Sequence, residues 1–297
     1  MDLVTPAFKS AAHFAQHAPR PVVTAAANGL AHLAALQSAD RRHLVERNLR
    51  RADPTLSGRA LDRAVRHLVE SYARYWAESF RLPSLGLDAI DAGFTATGFE
   101  HIEAARANGT GAIMVLPHLG GWEWAAFWLT RIKDIPVTAV VERLDPPELF
   151  EWFVELRRSF GMEVVPLGPE AGRATIRALK ENHLLALLCD RDLSGDGQEV
   201  EFFGERTTLP AGPATLALRT GAPIHPTAIY FEGDHLRRGV VRPALDTERR
   251  GSLREDVARI TQDVAHALED LIRQAPEQWH LLQPNWPSDR PRQEPVS

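Results

Sequence analysis

At 297 residues, with 44% hydrophobic and 25% charged side chains, the chain is far from the composition of disordered proteins and holds enough apolar material for a sizeable core. Its formal net charge of −5 argues against a nucleic-acid partner, which calls for a basic excess. Cys189 is the single cysteine, so neither an internal disulfide nor a multi-cysteine metal site is possible, and no metal is expected.

The first third reads as helical. Residues 3–18 set Leu3, Val4, Ala7, Phe8, Ala11, Ala12, Phe14 and Ala15 at helical spacing. Residues 22–36 are rich in Ala and Leu, and residues 40–51 are basic and amphipathic. Residues 57–81 place Leu61, Ala64, Val65, Leu68, Val69, Tyr72, Tyr75 and Trp76 on one side, and Pro83 closes that segment. Phe8, Phe14 and Val22–Val23, with Lys9, Arg20 and the cluster Arg41, Arg42, Arg47, Arg50 and Arg51, fit a helical surface that meets anionic lipid. They fit ordinary helices packed on the domain equally well. The N-terminus lacks the apolar segment of a secretory signal, and no run approaches the roughly 18 apolar residues of a membrane span, so a soluble or peripheral protein is expected.

From about residue 94 the pattern alternates. Strands are expected at 94–98, 111–117, 137–141, 163–166, 183–189, 222–231 and 236–241, with helices at 100–107, 121–132, 146–160, 170–181, 211–220 and 252–274. Residues 202–213 read as a loop running into a helix. Such alternation predicts an α/β fold: a central mixed sheet flanked by helices, with a helical N-terminal segment. The expected organisation is a single domain over 1–284 (helical 1–83, α/β core 84–284) and a loose, proline-containing tail over 285–297.

Chemistry concentrates in LPHLGGWEWAAFWL, residues 116–129. His118 follows a buried-strand candidate, at the edge where open α/β sheets bind ligands. Gly120 and Gly121 permit close approach of a ligand to the backbone. Trp122 and Glu123 open a helix whose first N–H groups suit developing negative charge. Glu123, five positions after His118, has a spacing that can return its carboxylate to the imidazole. A histidine paired with a carboxylate is a general-base unit, although a structural histidine at a strand end has the same spacing.

His118, four intervening residues and the acid Glu123 match the H-x4-D/E motif of glycerolipid and lipid A-type acyltransferases. Residues 71–83 (SYARYWAESFRLP), 188–226 and 276–286 (PEQWHLLQPNW) add to it, and the chain resembles the actinobacterial phosphatidylinositol mannoside acyltransferases, within the bacterial lipid A biosynthesis acyltransferase family, over roughly 40–286. The mannoside branch usually carries Asp where Glu123 stands and Asn where Gly121 stands. The resemblance implies transfer of a fatty acyl group from acyl-CoA, as a substrate and with no cofactor, to a mannose hydroxyl of a glycolipid acceptor at the cytoplasmic face of the membrane.

His118 would then be the base and Glu123 its acid. Asp190 and Asp192, after the apolar strand ending at Cys189, match an Asp-x-Asp of the lipid A branch. Either carboxylate fits the role of holding His118 or an acceptor hydroxyl. Gly120, Gly121, Trp122, Glu142, Arg143, Arg158, Arg191 and Gly212 are the substrate-binding candidates, with ion pairs, solvated faces or a plain turn as the alternatives at the charged and glycine positions. Transfer to another glycolipid or a lysophospholipid, or a non-catalytic lipid-binding protein of the same fold, also fits these residues.

Overall fold

A computed structural model describes residues 4–36 and 39–289. Four helices come first: α1 (Val4–His17), α2 (Arg20–Leu36), α3 (Ala39–Ala52) and α4 (Gly58–Arg81). A short helix α5 (Leu87–Ala92) leads into β1 (Phe94–Thr97), α6 (Phe99–Ala107), β2 (Ala112–Leu116), α7 (Trp122–Arg131), β3 (Val137–Val141), α8 (Pro147–Ser159), β4 (Glu163–Pro166), α9 (Ala171–Lys180) and β5 (Leu184–Leu188). A hairpin of β6 (Gln198–Phe202) and β7 (Glu205–Leu209) precedes α10 (Gly212–Thr220), β8 (Ile224–Glu232), β9 (Leu236–Val241) and α11 (Leu253–Ile272).

Seven strands form one sheet in the order β1-β9-β8-β2-β5-β3-β4. Only β8 and β9 pair antiparallel, so the sheet is mixed, as the strand–helix alternation predicts. β2 shows why its sequence is an unbroken apolar run: a central parallel strand is covered on both faces. Ile113 and Val115 join the core under α10 and α11, whereas Ala112, Met114 and Leu116 join the core under α7. Ser252 and Glu255 close a capping box at the start of α11, which supplies much of the first core.

The helical N-terminal part packs on this domain. Leu61, Val65 and Leu68 of α4 meet Val45 and Leu49 of α3, while Ala77 and Phe80 meet Ala12 and Ala15 of α1 and Phe153 of α8. Phe8, a candidate for the lipid-facing surface, is turned inward instead, with edge contacts to Trp76, Phe80 and Phe153. Val23 is buried, but Phe14, Val22, Leu30 and Leu33 remain exposed. No helix among the described residues is long and apolar enough to cross a membrane.

Two expectations change. Residues 198–209, read partly as loop, form an antiparallel hairpin in which Val200, Phe202, Thr207 and Leu209 point inward. Its turn places Phe203 and Gly204 at φ 53° and 75°, the twist that two-residue hairpins prefer, without the Asn-Gly or Asp-Gly signal that marks such turns in a sequence. Residues 285–289 are docked rather than loose. Arg51 stacks over Trp286 at 3.9 Å, and Arg47 and Arg51 reach Asp289 at 3.1 and 2.9 Å. Those two arginines are thus engaged with the chain's own C-terminal segment. Residues 290–297 of the expected tail lie outside the described residues.

Candidate active site

The sheet register brings the site together. β2 and β5 are parallel neighbours with Leu116 opposite Leu188, so His118 and Asp190, each two residues further on, come level across the carboxyl ends of the strands. The His118 ring N–H at Nδ1 donates to Oδ1 of Asp190 at 2.5 Å, and the His118 backbone N–H donates to Oδ2 at 3.0 Å. Asp190 is wholly buried, whereas a quarter of the His118 side chain is exposed. Burial alone would raise the Asp190 carboxyl. The His118 imidazole and the hydrogen bonds from His118 and Trp279 outweigh burial and hold it below the ordinary carboxylate value. With Nδ1 engaged, Nε2 is the ring nitrogen available to a substrate proton.

His118 lines a cavity of about 590 Å³. Its walls are largely apolar, with Leu116, Ala139, Val141, Leu167, Ile176 and Leu216 among them, and it extends to Gly212 at the start of α10. Its polar side chains include the Glu142–Arg191 pair at 3.0 Å, Arg157, Arg219, Tyr75, and Asp192, Ser194 and Asp196 of the loop after β5. This is the make-up of a site that receives a long apolar group and acts on one polar end of it. Among the described residues, no group of three or more His, Cys, Asp or Glu side chains is arranged to hold a metal ion.

A model of the bacterial lipid A biosynthesis acyltransferases matches residues 11–288. The chain belongs to that family. It is 40% identical over 248 residues to a phosphatidylinositol mannoside acyltransferase of Mycolicibacterium smegmatis, covering 82% of this chain and 79% of that one. It is 42% identical over 234 residues to a phosphatidylinositol mannoside acyltransferase of Mycobacterium tuberculosis, covering 74% and 69%.

In this family member the H-x4-E motif has a different geometry from the one its spacing suggests. Among the described residues no hydrogen bond joins Glu123 to His118. Glu123 is buried, and its Oε1 accepts from the Tyr75 hydroxyl at 2.7 Å and from Arg157 Nη2 at 3.1 Å. Burial first, and then the charge of Glu123, push the Tyr75 phenol well above its usual value, so it stays protonated as the donor. Arg157 in turn lies over the ring of Trp122 at 5.2 Å. Tyr75, Trp122 and Arg157 all line the cavity, so Glu123 braces its wall from behind. Glu123→Gln leaves Arg157 without a counter-charge in a site where both side chains are at most 16% exposed. That variant should lose roughly 1–3 kcal/mol of stability. An unchanged denaturant midpoint would contradict this.

The glycines also have a different reason for being there. Gly120 has φ +59°, and a Cβ on it would lie 1.8 Å from the carbonyl oxygen of Ile229; a Cβ on Gly121 would lie 3.0 Å from the ring of Phe231. Close packing onto β8, not the approach of a ligand, excludes a side chain at Gly120. The Gly120 N–H donates to the carbonyl of Gln278 at 3.1 Å and is therefore not a free donor for an oxyanion. Gly120→Ala should destabilise the fold by more than about 2 kcal/mol. A thermal melt matching the parent protein would show that the loop relaxes instead.

The remaining candidates divide. Glu142, Arg191 and Gly212 line the cavity with Trp122. Asp192 stands at its edge and organises the loop, accepting from the N–H groups of Ser194, Gly195 and Gly197 and from the Thr208 hydroxyl. Those hydrogen bonds, opposed first by burial, keep its carboxyl below the ordinary value. Arg143 and Arg158 are exposed and do not line the cavity; Arg143 lies over Phe150 instead. Adjacent positions on a helix point about 100° apart, so Arg157 rather than Arg158 faces inward. Sequence reasoning missed the roles of Tyr75, Trp279, His280 and Asn285. All four lie far along the chain from His118; they fall in the segments 71–83 and 276–286 that carry the family resemblance, but nothing in those segments says that they meet the His118 loop.

Proposed function

We propose that the protein transfers a fatty acyl group, palmitoyl, from acyl-CoA to a mannose hydroxyl of phosphatidylinositol mannoside, with His118 as general base. The observation that carries this reading is the buried Asp190 holding Nδ1 of a partly exposed His118 in the wall of an apolar cavity. His118 Nε2 takes the proton of the acceptor hydroxyl, and that oxygen attacks the thioester carbonyl. The C–S bond breaks, and the departing thiolate takes the proton from the imidazolium. No cofactor beyond the acyl-CoA substrate enters the scheme. With the Gly120 N–H given to Gln278 and the Trp124 N–H to Gly121, the oxyanion falls to the N–H groups of Trp122 and Glu123 at the start of α7.

The apolar walls suit the acyl chain. Gly212 and Arg219, on one face of α10, suit the phosphates of the donor. The acceptor follows from the relatives, both named for phosphatidylinositol mannoside. The exposed Phe14, Val22, Leu30 and Leu33 of α1 and α2 suit peripheral attachment to the cytoplasmic face of the membrane. The test is incubation with palmitoyl-CoA and a panel of acceptors: phosphatidylinositol mannosides, lipid A precursors and lysophospholipids. Mass analysis should show one palmitoyl added to a mannose of the mannosides. Transfer confined to another acceptor would overturn the assignment.

A further inference from the structure

The scheme above gives no part to the C-terminal segment, yet that segment is built into the site. Residues 278–280 run beside the loop after β2. Gly120 N–H donates to the Gln278 carbonyl at 3.1 Å, His280 N–H donates to the His118 carbonyl at 2.7 Å, and Leu119 and Trp279 form an antiparallel bridge between them. The Trp279 indole Nε1–H reaches Oδ2 of Asp190 at 2.8 Å. Its ring is 1% exposed, in contact with Phe202, Phe203 and Trp286, and it does not line the cavity. Asn285 donates to the backbone carbonyl of Asp190 at 3.1 Å.

Asp190 is shut off from water, so protein donors alone orient its carboxylate. Oδ2 accepts two N–H groups, from the His118 backbone and the Trp279 indole, which leaves Oδ1 to face the imidazole. We propose that Trp279 is a positioning residue for acyl transfer: its indole N–H holds Asp190 so that His118 presents Nε2 to the substrate hydroxyl. This rests on the reading of His118 as the general base. Packing alone would need only an aromatic ring at this place. Tryptophan is the large aromatic that also carries a ring N–H donor.

Of the charged groups nearby, Arg191 pairs with Glu142, Arg157 and Tyr75 with Glu123, and Asp192 with its own loop, which leaves His280 and Cys189 beside Asp190. Burial, together with His118, pushes His280 down to about 3, and burial pushes the Cys189 thiol up. Neither changes charge across a working range near neutrality. Removing the indole N–H withdraws a donor that stabilises the carboxylate's negative charge. The pair then binds its proton more tightly, and the acidic limb of the kcat profile moves to higher pH.

The experiment compares Trp279→Phe and Trp279→benzothienylalanine with the parent enzyme, with His118→Ala as a control. Benzothienylalanine exchanges the N–H for sulfur in an almost unchanged outline, so it preserves the packing even where phenylalanine does not. Both variants should lose kcat by about tenfold to a hundredfold, the effect of one hydrogen bond to a buried charge. KM should be unchanged for both substrates, and the acidic limb should be raised. Parent-like kcat and pH profile in the benzothienylalanine enzyme overturn the proposal. So does a rate loss that only tracks lost folded protein, with the pH profile unmoved. An active His118→Ala overturns the general-base reading and this role with it. A dead His118→Ala beside an unaltered benzothienylalanine enzyme sinks the role of Trp279 alone.

Discussion

Replacing His118 with alanine should lower acyl transfer by about 10²- to 10⁴-fold while the fold survives. The loss follows from geometry: His118 is the imidazole in the cavity wall, and its free Nε2 is the group assigned to the acceptor proton. The variant loses some stability, because Oδ1 of the buried Asp190 is left unpaired, but the fold survives because the main-chain bonds at this position do not depend on the ring. The backbone N–H at 118 still donates to Asp190, the carbonyl still accepts from His280, and the Trp279 indole still serves the carboxylate. Single-turnover CoA release with circular dichroism on the same sample checks both halves. Turnover within a few-fold of the parent enzyme would remove His118 from the mechanism.

Asp190→Asn should cost nearly as much in rate, about 10²- to 10⁴-fold, with little change in volume. An amide that turns its NH₂ toward Nδ1 cannot accept the ring proton, so the imidazole is pushed into the wrong tautomer or swings out of line. Stability should change in a pH-dependent way. The folded Asp190 carboxyl is held below its ordinary value of 3.8, so the native state gains from the charged form. That contribution is complete above the unfolded carboxylate value and is lost as pH falls through the folded one. The gap in unfolding free energy between parent and variant should therefore be larger near neutrality than at about pH 3. Urea titrations at the two pH values measure it, and a constant gap would show that the carboxylate is not stabilised as described.

Glu123 and Asp190 show where a sequence stops being informative. The helical and strand periods, and so the class of fold, depend on residues a few positions apart, and nearly every predicted element from 94 to 274 is present within a residue or two. His118 at the carboxyl end of a buried strand was legible for the same reason: AIMVL is a short apolar run opened by Gly111 and closed by Pro117, the pattern of a covered strand. Which acid holds His118 was not: Glu123, Asp190 and Asp192 all stood as candidates. Glu123 is five residues away and Asp190 is 72 residues away, and spacing favours the nearer acid. The tail is a similar case, since Trp286 and Asp289 acquire their places from Arg47 and Arg51 on α3.

By itself, then, the sequence determined the α/β class, the strand that carries His118 and the family motif around it, because each depends on local periodicity or on a contiguous pattern. Only the tertiary structure decided that Asp190 holds the imidazole, that Glu123 turns to Tyr75 and Arg157, and that Trp279 closes the far side of the carboxylate. Strand order and register are properties of the whole sheet. It is the pairing of Leu116 with Leu188 that sets His118 beside Asp190, and nothing within reach of either residue along the chain specifies it.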